Sequence, residues 1–266
     1  MDTSYEMTQT SLPIEIDWAD WLKRWDAQQT GYLPDREARF TTMLDVLGEL
    51  LPPDFTALDL CSGPGSISQR LLARFPQARC IAADLDPLLM AIGQAVLGDS
   101  EGRLRWVEID LMKETDLAAA LSIEQVDAVL STTALHWLPV ENLVQVYHQL
   151  GQLVRPGGVV LNGDNIQFAP QLDAFQQVAD AITERQQKVA FEEQEVEDWG
   201  RWWGALADIP ALEPLLAERE RRFNLRPVDV AAPIADIHEA ALRDAGFRQV
   251  GVIWQHLDNR IIMAVK

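Results

Sequence analysis

The sequence predicts an α/β fold, in which a doubly wound, mostly parallel sheet of seven strands ends in an antiparallel hairpin. Short apolar runs alternate with stretches of helical periodicity from residue 56 to residue 162, a pattern typical of βαβ units. Only a turn at Asp258 and Asn259 separates the last two strands, so these must be antiparallel. With 266 residues, 48% of them apolar, the chain can bury a large core.

Two helices are expected before the first strand. Trp18, Trp21 and Trp25 recur at helical spacing within residues 17–29 and therefore share one face of an amphipathic helix. A second helix should cover residues 34–51, because two consecutive prolines follow it. We assign residues 1–33 to an N-terminal helical segment.

The next part of the chain supplies most of the sheet. Strands are predicted at residues 56–60, 79–83, 104–109, 126–131 and 159–162, and the helices between them at 65–75, 87–97, 114–121 and 139–154. These runs are too apolar for a half-solvated sheet, so the strands should be buried on both faces.

The alternation of strands and helices is interrupted by one long segment and then resumes. Residues 168–226 have a helical, polar and acidic pattern, which indicates a helical insertion at 166–233. A helix at 234–245 and strands at 249–255 and 260–265 complete the sheet, so residues 34–165 and 234–266 form one domain.

The charge and the cysteine content limit the classes of function that the chain can have. The chain has 22 Lys and Arg against 41 Asp and Glu, a formal net charge of −19, which disfavours binding to nucleic acid or to anionic membranes. Cys61 and Cys80 are its two cysteines, too few for a disulfide framework. No basic and apolar leader is found, and no run approaches the roughly 18–20 apolar residues of a membrane span. We expect a cytoplasmic protein whose partner is a small molecule or another protein.

The strongest local motif is a buried strand that runs through a glycine-rich turn into a helix, Ala57-Leu58-Asp59-Leu60-Cys61-Ser62-Gly63-Pro64-Gly65-Ser66. Glycines let a ligand approach the backbone, and the following helix presents unpaired N–H groups. Ser68 stands where a dinucleotide-binding fold would have a third glycine. That difference and the carboxylate of Asp59 favour a ligand with a cationic group, although glycine turns also form purely structural corners.

Two further carboxylates follow the next two strands. Asp84 lies at the end of the second strand, where two oxygens could accept both hydroxyls of a ribose. Asp86 is better explained as the N-cap of a helix that begins with Pro87. Asp110, at the end of the third strand, could accept from an adenine amino group. Each of these aspartates, taken singly, is more often a cap or loop residue, but the three strand ends together with the glycine turn favour a ligand site.

These motifs, together with Val126-Asp127-x-Val129-Leu130-Ser131 and Leu153-x-Arg155-Pro156-Gly157-Gly158, resemble the class I S-adenosylmethionine-dependent methyltransferases, whose sheet is Rossmann-like. The resemblance covers residues 34–165 and the closing hairpin. It implies that Asp59 and the turn with Cys61, Gly63 and Gly65 hold the methionine part of the cofactor, that Asp84 binds the ribose, and that Asp110, Leu111 and Leu85 surround the adenine. It also implies that Thr132 contacts the cofactor and that Arg39 pairs with its carboxylate.

Two of these assignments have alternatives. The family usually has glycine at the position of Cys61, so a side chain there requires a negative φ. Cys61 as a nucleophile has little support, because no His or basic residue adjoins it. For Arg39 the alternative is a solvated helix face, which would equally suit Arg36.

On the substrate side, residues 131–137 resemble the matching loop of trans-aconitate and biotin-pathway carboxyl methyltransferases. His136 in this loop could act as a general base or orient the acceptor, or it could simply begin the next helix. His238 is a second candidate, whereas His148 and His256 fit structural positions. An anionic acceptor would need a local basic residue such as Arg36 or Arg201.

The tryptophans outside the sheet suggest a lid. Six of the nine lie in the N-terminal helix and the insertion, namely Trp18, Trp21, Trp25, Trp199, Trp202 and Trp203. These segments could fold over the site and exclude water, or they could simply pack helices or form a dimer contact. The sequence therefore predicts a methyltransferase (EC 2.1.1.-) that methylates an oxygen or nitrogen of a small molecule, as a monomer or homodimer without a metal. A protein methyltransferase or a catalytically idle cofactor-binding module is the alternative.

Overall fold

Seven strands form one sheet in the computed structural model, which describes residues 16–224 and 233–266. The strands are β1 (Thr56–Leu60), β2 (Arg79–Asp84), β3 (Leu104–Glu108), β4 (Val126–Thr132), β5 (Val154–Asn165), β6 (Gln249–His256) and β7 (Asn259–Val265). Their order is β3-β2-β1-β4-β5-β7-β6. β1 to β5 are parallel, and β7 runs antiparallel to both β5 and β6. The predicted fold class, with its closing hairpin, is confirmed.

Helices cover both faces of this sheet. They are α1 (Trp18–Tyr32), α2 (Arg36–Leu50), α3 (Ser66–Arg74), α4 (Pro87–Leu97), α5 (Leu117–Ala120), α6 (Val140–Leu153), α7 (Asp173–Lys188), α8 (Trp199–Ala207), α9 (Glu213–Phe223) and α10 (Ala235–Asp244). Side chains of α2 and α3 pack with alternate residues of β1 on one face, and those of α5, α6 and α10 pack on the other. The sheet is therefore doubly wound, and the carboxyl ends of β1 to β5 meet at one edge.

Two predicted elements differ in length from those observed. The helix expected at 114–121 is the single turn α5, which Asp116 caps by accepting from the Ala119 N–H at 3.0 Å. The fifth strand, expected at 159–162, extends in both directions because β4 pairs with it at Val154 and β7 pairs with it as far as Asn165. Long-range pairing, which local pattern does not report, sets both ends of that strand.

The segments outside the sheet pack together. The helical character expected for residues 168–226 appears as α7, a π-helical turn at Val189–Glu193, α8 and α9. Trp202 of α8 is fully buried, and its ring centroid lies 5.8 Å from that of Trp21 and 5.1 Å from that of Trp25 on α1. This aromatic cluster rests on Leu88 and Leu89 of α4. The expectations for residues 1–15 and 225–232 lie outside the described residues, and the proposed segment boundaries stay predictions.

The insertion is also joined to the sheet domain by an ion pair whose carboxylate is buried. Arg219 of α9 donates to Asp86 Oδ2 at 2.6 Å, while Asp86 caps α4 through the N–H groups of Leu88 and Leu89. The predicted cap at Asp86 is therefore confirmed. Because a buried charge that loses its partner is strongly destabilising, this pair holds α9 against the end of β2.

Two glycines within helices offer a matched test of the packing. A Cβ at Gly151 of α6 would lie 2.2 Å from the carbonyl oxygen of Ala245, whereas one at Gly204 of α8 would meet nothing within 4 Å. We expect Gly151→Ala to lower the free energy of unfolding by about 1–3 kcal/mol through overpacking. Gly204→Ala should instead raise it by up to about 1 kcal/mol, since alanine favours the helix. Urea unfolding followed by circular dichroism measures both, and a stable Gly151→Ala would refute the α6–α10 contact.

Candidate active site

The turn between β1 and α3 is built from left-handed backbone conformations. Gly63 has φ +54° and Gly65 has φ +80°. A Cβ at Gly65 would also lie 2.8 Å from the indole of Trp106, so glycine is needed there for space as well as for conformation. The turn thereby brings bare backbone to the carboxyl edge of the sheet.

Cys61 opens this turn, and its φ of +60° corrects the expectation of a negative value. The chain must reverse directly after β1 while the Ser62 N–H bonds to the Ala83 carbonyl at 3.1 Å, and this path imposes the left-handed conformation even on a residue with a Cβ. Such a residue costs on the order of 1–3 kcal/mol, which explains why glycine suits the position better. Cys61 lines the cavity described below, so the strain is located at the site.

Asp59 and Asp84 place two carboxylates at this edge. Asp59 is buried, and its Oδ2 accepts from the Ser68 hydroxyl at 2.6 Å, so the serine in place of a third glycine has a partner. Asp84 accepts from the Gly63 N–H at 2.7 Å and from the Asp86 N–H at 2.8 Å. Burial raises the pKa of Asp59 to about 7 and that of Asp84 to about 6, and repulsion between carboxylates adds to both shifts. The edge is therefore prepared for a positive charge.

A central cavity of about 620 Å³ opens above the turn. Five of the predicted site residues line it, namely Cys61, Gly63, Asp84, Thr132 and His136. Its opposite wall is aromatic and comes from outside the sheet domain: Trp25 and Tyr32 of α1 and Trp199 of α8. A volume of this size suits a small-molecule site.

The residues expected around an adenine lie in a neighbouring side cavity of about 340 Å³. Leu85 and Asp110 line it, and Lys113 Nζ lies 3.0 Å from Asp110. Arg222 of α9 also lines it and donates to the Leu85 carbonyl at 2.7 Å. Leu111 is buried in the core next to this cavity. The described structure thus does not bring all the predicted cofactor residues into one chamber.

The two arginines of α2 are both buried, so the alternative of a solvated helix face is wrong. Arg39 lies beneath the central cavity and donates to Thr133 Oγ1 at 2.5 Å and to Asn259 Oδ1 at 2.9 Å. Burial lowers its pKa to about 10, while Asp164 opposes the shift. Arg36, one helical turn earlier, is the arginine that lines the cavity. The pairing of Arg39 with a cofactor carboxylate stays a prediction.

Asp26 of α1 joins the N-terminal helix to the glycine turn. It accepts from the Ser66 hydroxyl at 2.7 Å and from Arg70 at 3.1 Å, and it lies 2.9 Å from Arg36 Nη1. Burial would raise the pKa of Asp26, but Arg36, Ser66 and Arg70 together hold it below its usual value. The sequence analysis missed this residue, because Asp26 has no motif and meets its partners only in the fold.

His136 and Asp164 form a dyad on the cavity wall. His136 Nδ1 lies 2.6 Å from Asp164 Oδ1, and the His136 backbone N–H donates to Oδ2 at 3.1 Å. Asp164 is fully buried, yet His136, Arg39 and His238 hold its pKa below the usual value against the effect of burial. Asp164 therefore holds the His136 ring through Nδ1 and the His136 backbone through its N–H, and Nε2 is the ring nitrogen left for a ligand. The sequence analysis missed Asp164, although its place at the carboxyl end of a parallel strand was a usable signal.

The other histidines lie away from the cavity lining. His238 is buried between α6 and α10, where its Nδ1 and the Tyr147 hydroxyl share a hydrogen bond of 2.7 Å. Burial lowers its pKa to about 4, so it stays neutral. His148 pairs with Asp244 and His256 with Asp35, in keeping with the structural positions expected for both.

The described residues show neither a metal-binding cluster nor a membrane-spanning helix. Across residues 16–224 and 233–266, no group of three or more His, Cys, Asp or Glu side chains is arranged to hold a metal ion. Over the same ranges, no helix is both long enough and apolar enough to cross a membrane.

Comparison with known proteins agrees with this geometry. Residues 57–158 match the family described as a methyltransferase domain. Trans-aconitate 2-methyltransferase of Azoarcus sp. (strain BH72) is 29% identical over 140 residues, covering 52% of this chain and 50% of that protein. Malonyl-[acyl-carrier protein] O-methyltransferase of Methylococcus capsulatus (strain ATCC 33009 / NCIMB 11132 / Bath) is 29% identical over 117 residues, covering 44% and 40% respectively. The chain thus spans about half the length of the curated relatives it matches.

The fold has a wider likeness. An O-methyltransferase family protein from Burkholderia thailandensis superposes with a TM-score of 0.53 at 18% identity, covering 94% of this chain and 68% of that one. Identity this low speaks for the fold alone. The matched domain, the sheet order and the carboxylates at the ends of β1 and β2 agree with the resemblance to the class I S-adenosylmethionine-dependent methyltransferases.

Proposed function

We propose that the protein transfers the methyl group of S-adenosylmethionine to an oxygen or nitrogen atom of a small molecule held in the central cavity. One observation supports this most directly: His136, which is held by the buried Asp164, lines the same cavity as the glycine turn and Asp84. A base and a cofactor-binding turn that line the same cavity can act on the same acceptor molecule. An idle binding module would have no need of the base.

Different residues of the chain would bind different parts of the cofactor. Asp84 would offer the remaining lone pairs of its two oxygens to the ribose hydroxyls, and the backbone of the glycine turn would receive the methionine part. Asp59, beneath the turn, supplies negative charge near the sulfonium and the amine. Arg36, which lines the cavity beside the turn, is better placed than Arg39 to meet the cofactor carboxylate. Asp110 and Leu85 would receive the adenine in the side cavity, which α9 borders.

When bound, the cofactor supplies a methyl group on a sulfonium, a leaving group that departs neutral. His136 takes the proton of the acceptor at Nε2, because Asp164 holds the opposite nitrogen and stabilises the imidazolium that forms. The walls position the acceptor for in-line attack, which supplies much of the rate, since effective molarities of oriented reactants reach ~10⁵–10⁸ M. Trp25 and Trp199 close the chamber towards solvent, the role expected of a lid.

Calorimetry and a labelled-methyl assay test the proposal together. We expect heat on titration with S-adenosylmethionine and with S-adenosylhomocysteine, followed by transfer of label to a member of a panel of phenols, carboxylic acids and amines. A folded sample that gives no heat with either ligand contradicts the cofactor assignment. Tight binding with no transfer across the panel contradicts the enzymatic proposal and favours the idle module.

Asp84→Asn should weaken cofactor binding by about tenfold to a hundredfold, since charge-assisted hydrogen bonds contribute roughly 1.5–3 kcal/mol. The amide keeps the size of the side chain but can accept from only one of the N–H groups of Gly63 and Asp86, so circular dichroism is used to check that the variant is folded. Isothermal titration gives the Kd, and Asp54→Asn in the exposed segment before β1 is the matched control. An unchanged Kd in Asp84→Asn would refute the ribose assignment.

Cofactor binding should also release protons near pH 6.5. The pKa of Asp59 is raised to about 7 and that of Asp84 to about 6, and a cationic ligand favours the ionised form of both. Affinity should therefore fall as the pH is lowered from 7.5 to 5. Calorimetry in two buffers of different ionisation enthalpy measures the release, and Asp59→Asn should reduce it. Equal heats in both buffers would contradict the raised pKa values.

His136→Gln should lower kcat by about 10²–10⁴-fold with a hydroxyl acceptor, because the general base is lost, while the Kd of the cofactor stays within twofold. The deficit should shrink as the pH rises towards the pKa of the acceptor, where the base is no longer needed. Asp164→Asn should lower kcat in the same direction, and His148→Gln on the exposed face of α6 is the control. A pH-independent deficit would show that His136 is structural.

A further inference from the structure

Four aromatic side chains contribute to the lining of the central cavity. Trp25, Tyr32, Trp137 and Trp199 all line it. Trp137 is 72% exposed and Trp199 is 43% exposed, which is unusual for large apolar rings that have another way to pack. The Trp137 ring centroid lies 4.7 Å from that of His136, so a flat group stacked beside Trp137 would stand next to the base.

The cavity offers no cation that is not already paired. Among the described lining residues, Arg36 is the only arginine or lysine. It lies 2.9 Å from Asp26 and 3.7 Å from Glu37, and the proposed function gives it the cofactor carboxylate as well. Arg201, the other basic residue that an anionic acceptor would have suited, does not line the cavity and instead binds Asp198 at 3.2 Å.

An anionic acceptor would therefore meet an unfavourable site. Its charge would be desolvated beside Asp84 with no free counter-ion, which costs several kcal/mol. The surface leading to the cavity belongs to a chain with a net charge of −19 and would also repel an anion. A neutral aromatic ring loses little on entry and gains ring contacts.

The dyad supports the same conclusion by a separate argument. A carboxylic acid is ionised at neutral pH and can attack a methyl group without a base. A phenol keeps its proton, since its pKa is about 10, and needs a base to become a good nucleophile. A base whose ring and backbone are both held by a buried carboxylate is needed only for the second kind of acceptor.

We infer that the acceptor is a neutral aromatic alcohol, a phenol whose ring lies against Trp137 and whose hydroxyl faces His136. This inference rests on the proposed function. In the reaction the O–H bond breaks and its proton passes to His136 Nε2, while an oxygen electron pair forms the new O–CH₃ bond. The C–S bond breaks with its electron pair going to sulfur, which leaves a neutral thioether, so no oxidant or reductant is needed.

Two acceptors with the same ring system distinguish the classes. The native chain is incubated with labelled S-adenosylmethionine and either 2-naphthol or 2-naphthoate, with trans-aconitate as an aliphatic carboxylate. We expect kcat/KM for 2-naphthol to exceed that for either carboxylate by at least about a hundredfold, as the uncompensated charge implies. Faster methylation of 2-naphthoate or of trans-aconitate overturns the inference but leaves the proposed function intact.

A variant checks where the ring binds. Trp137→Leu should raise the KM for 2-naphthol by about tenfold while the Kd of the cofactor is unchanged, and Trp137→Phe should recover most of the loss. Trp254→Leu on β6, which packs on another apolar cluster, is the matched control. A KM for 2-naphthol that is the same in Trp137→Leu and the native chain overturns the placement. Cofactor binding without transfer to any acceptor, whether aromatic, aliphatic or amine, would instead overturn the proposed function.

Discussion

The burial of two neighbouring carboxylates beneath one strained turn is the constraint on which the rest of the site depends. Burial raises the pKa of Asp59 to about 7 and that of Asp84 to about 6, and the neighbouring charges of Asp84 and Asp86, respectively, add to the two shifts. Ser68 and the N–H of Gly63 offset part of that burial. The remaining unfavourable energy is relieved by a ligand that carries positive charge. The parallel sheet creates this situation, because adjacent strands end at the same edge.

The segments outside the sheet domain turn that edge into a chamber. Asp26 joins α1 to the glycine turn by a hydrogen bond from Ser66, and Arg219 joins α9 to the sheet domain by an ion pair with Asp86. Between these attachments, α8 packs Trp202 against α1, which leaves Trp199 on the cavity wall. The acidic insertion thereby contributes an aromatic side chain to the cavity wall and arginines to its contact with the sheet domain. Most of its charge stays at the surface, and the arginines near the chamber are paired.

Local signals in the sequence located much of this site. The strand that leads into Gly63 and Gly65, the cap at Asp86 and the position of Asp84 all depend on neighbours within a few residues, and each could be recognised from pattern alone. The negative φ expected for Cys61 was wrong, because the turn is held from outside by the bond from Ser62 to Ala83. The resemblance assigned the cofactor carboxylate to Arg39, whereas Arg36 lines the cavity, because helix rotation decides which of two buried arginines reaches it.

By itself the sequence determined the order of strands and helices along the chain and the position of the glycine turn. It also located the carboxylates at the ends of β1 and β2 and in the segment after β3. These features follow from periodicity and from the conformational needs of single residues. Only the tertiary structure decided that Asp164 orients His136, that Arg36 and not Arg39 lines the cavity, and that α9 borders the side cavity at Leu85 and Asp110. The physical reason is that hydrogen bonds and ion pairs between residues distant in sequence depend on angles and packing that no local pattern records. His136 and Asp164 are 28 positions apart, and Arg219 and Asp86 are 133 apart.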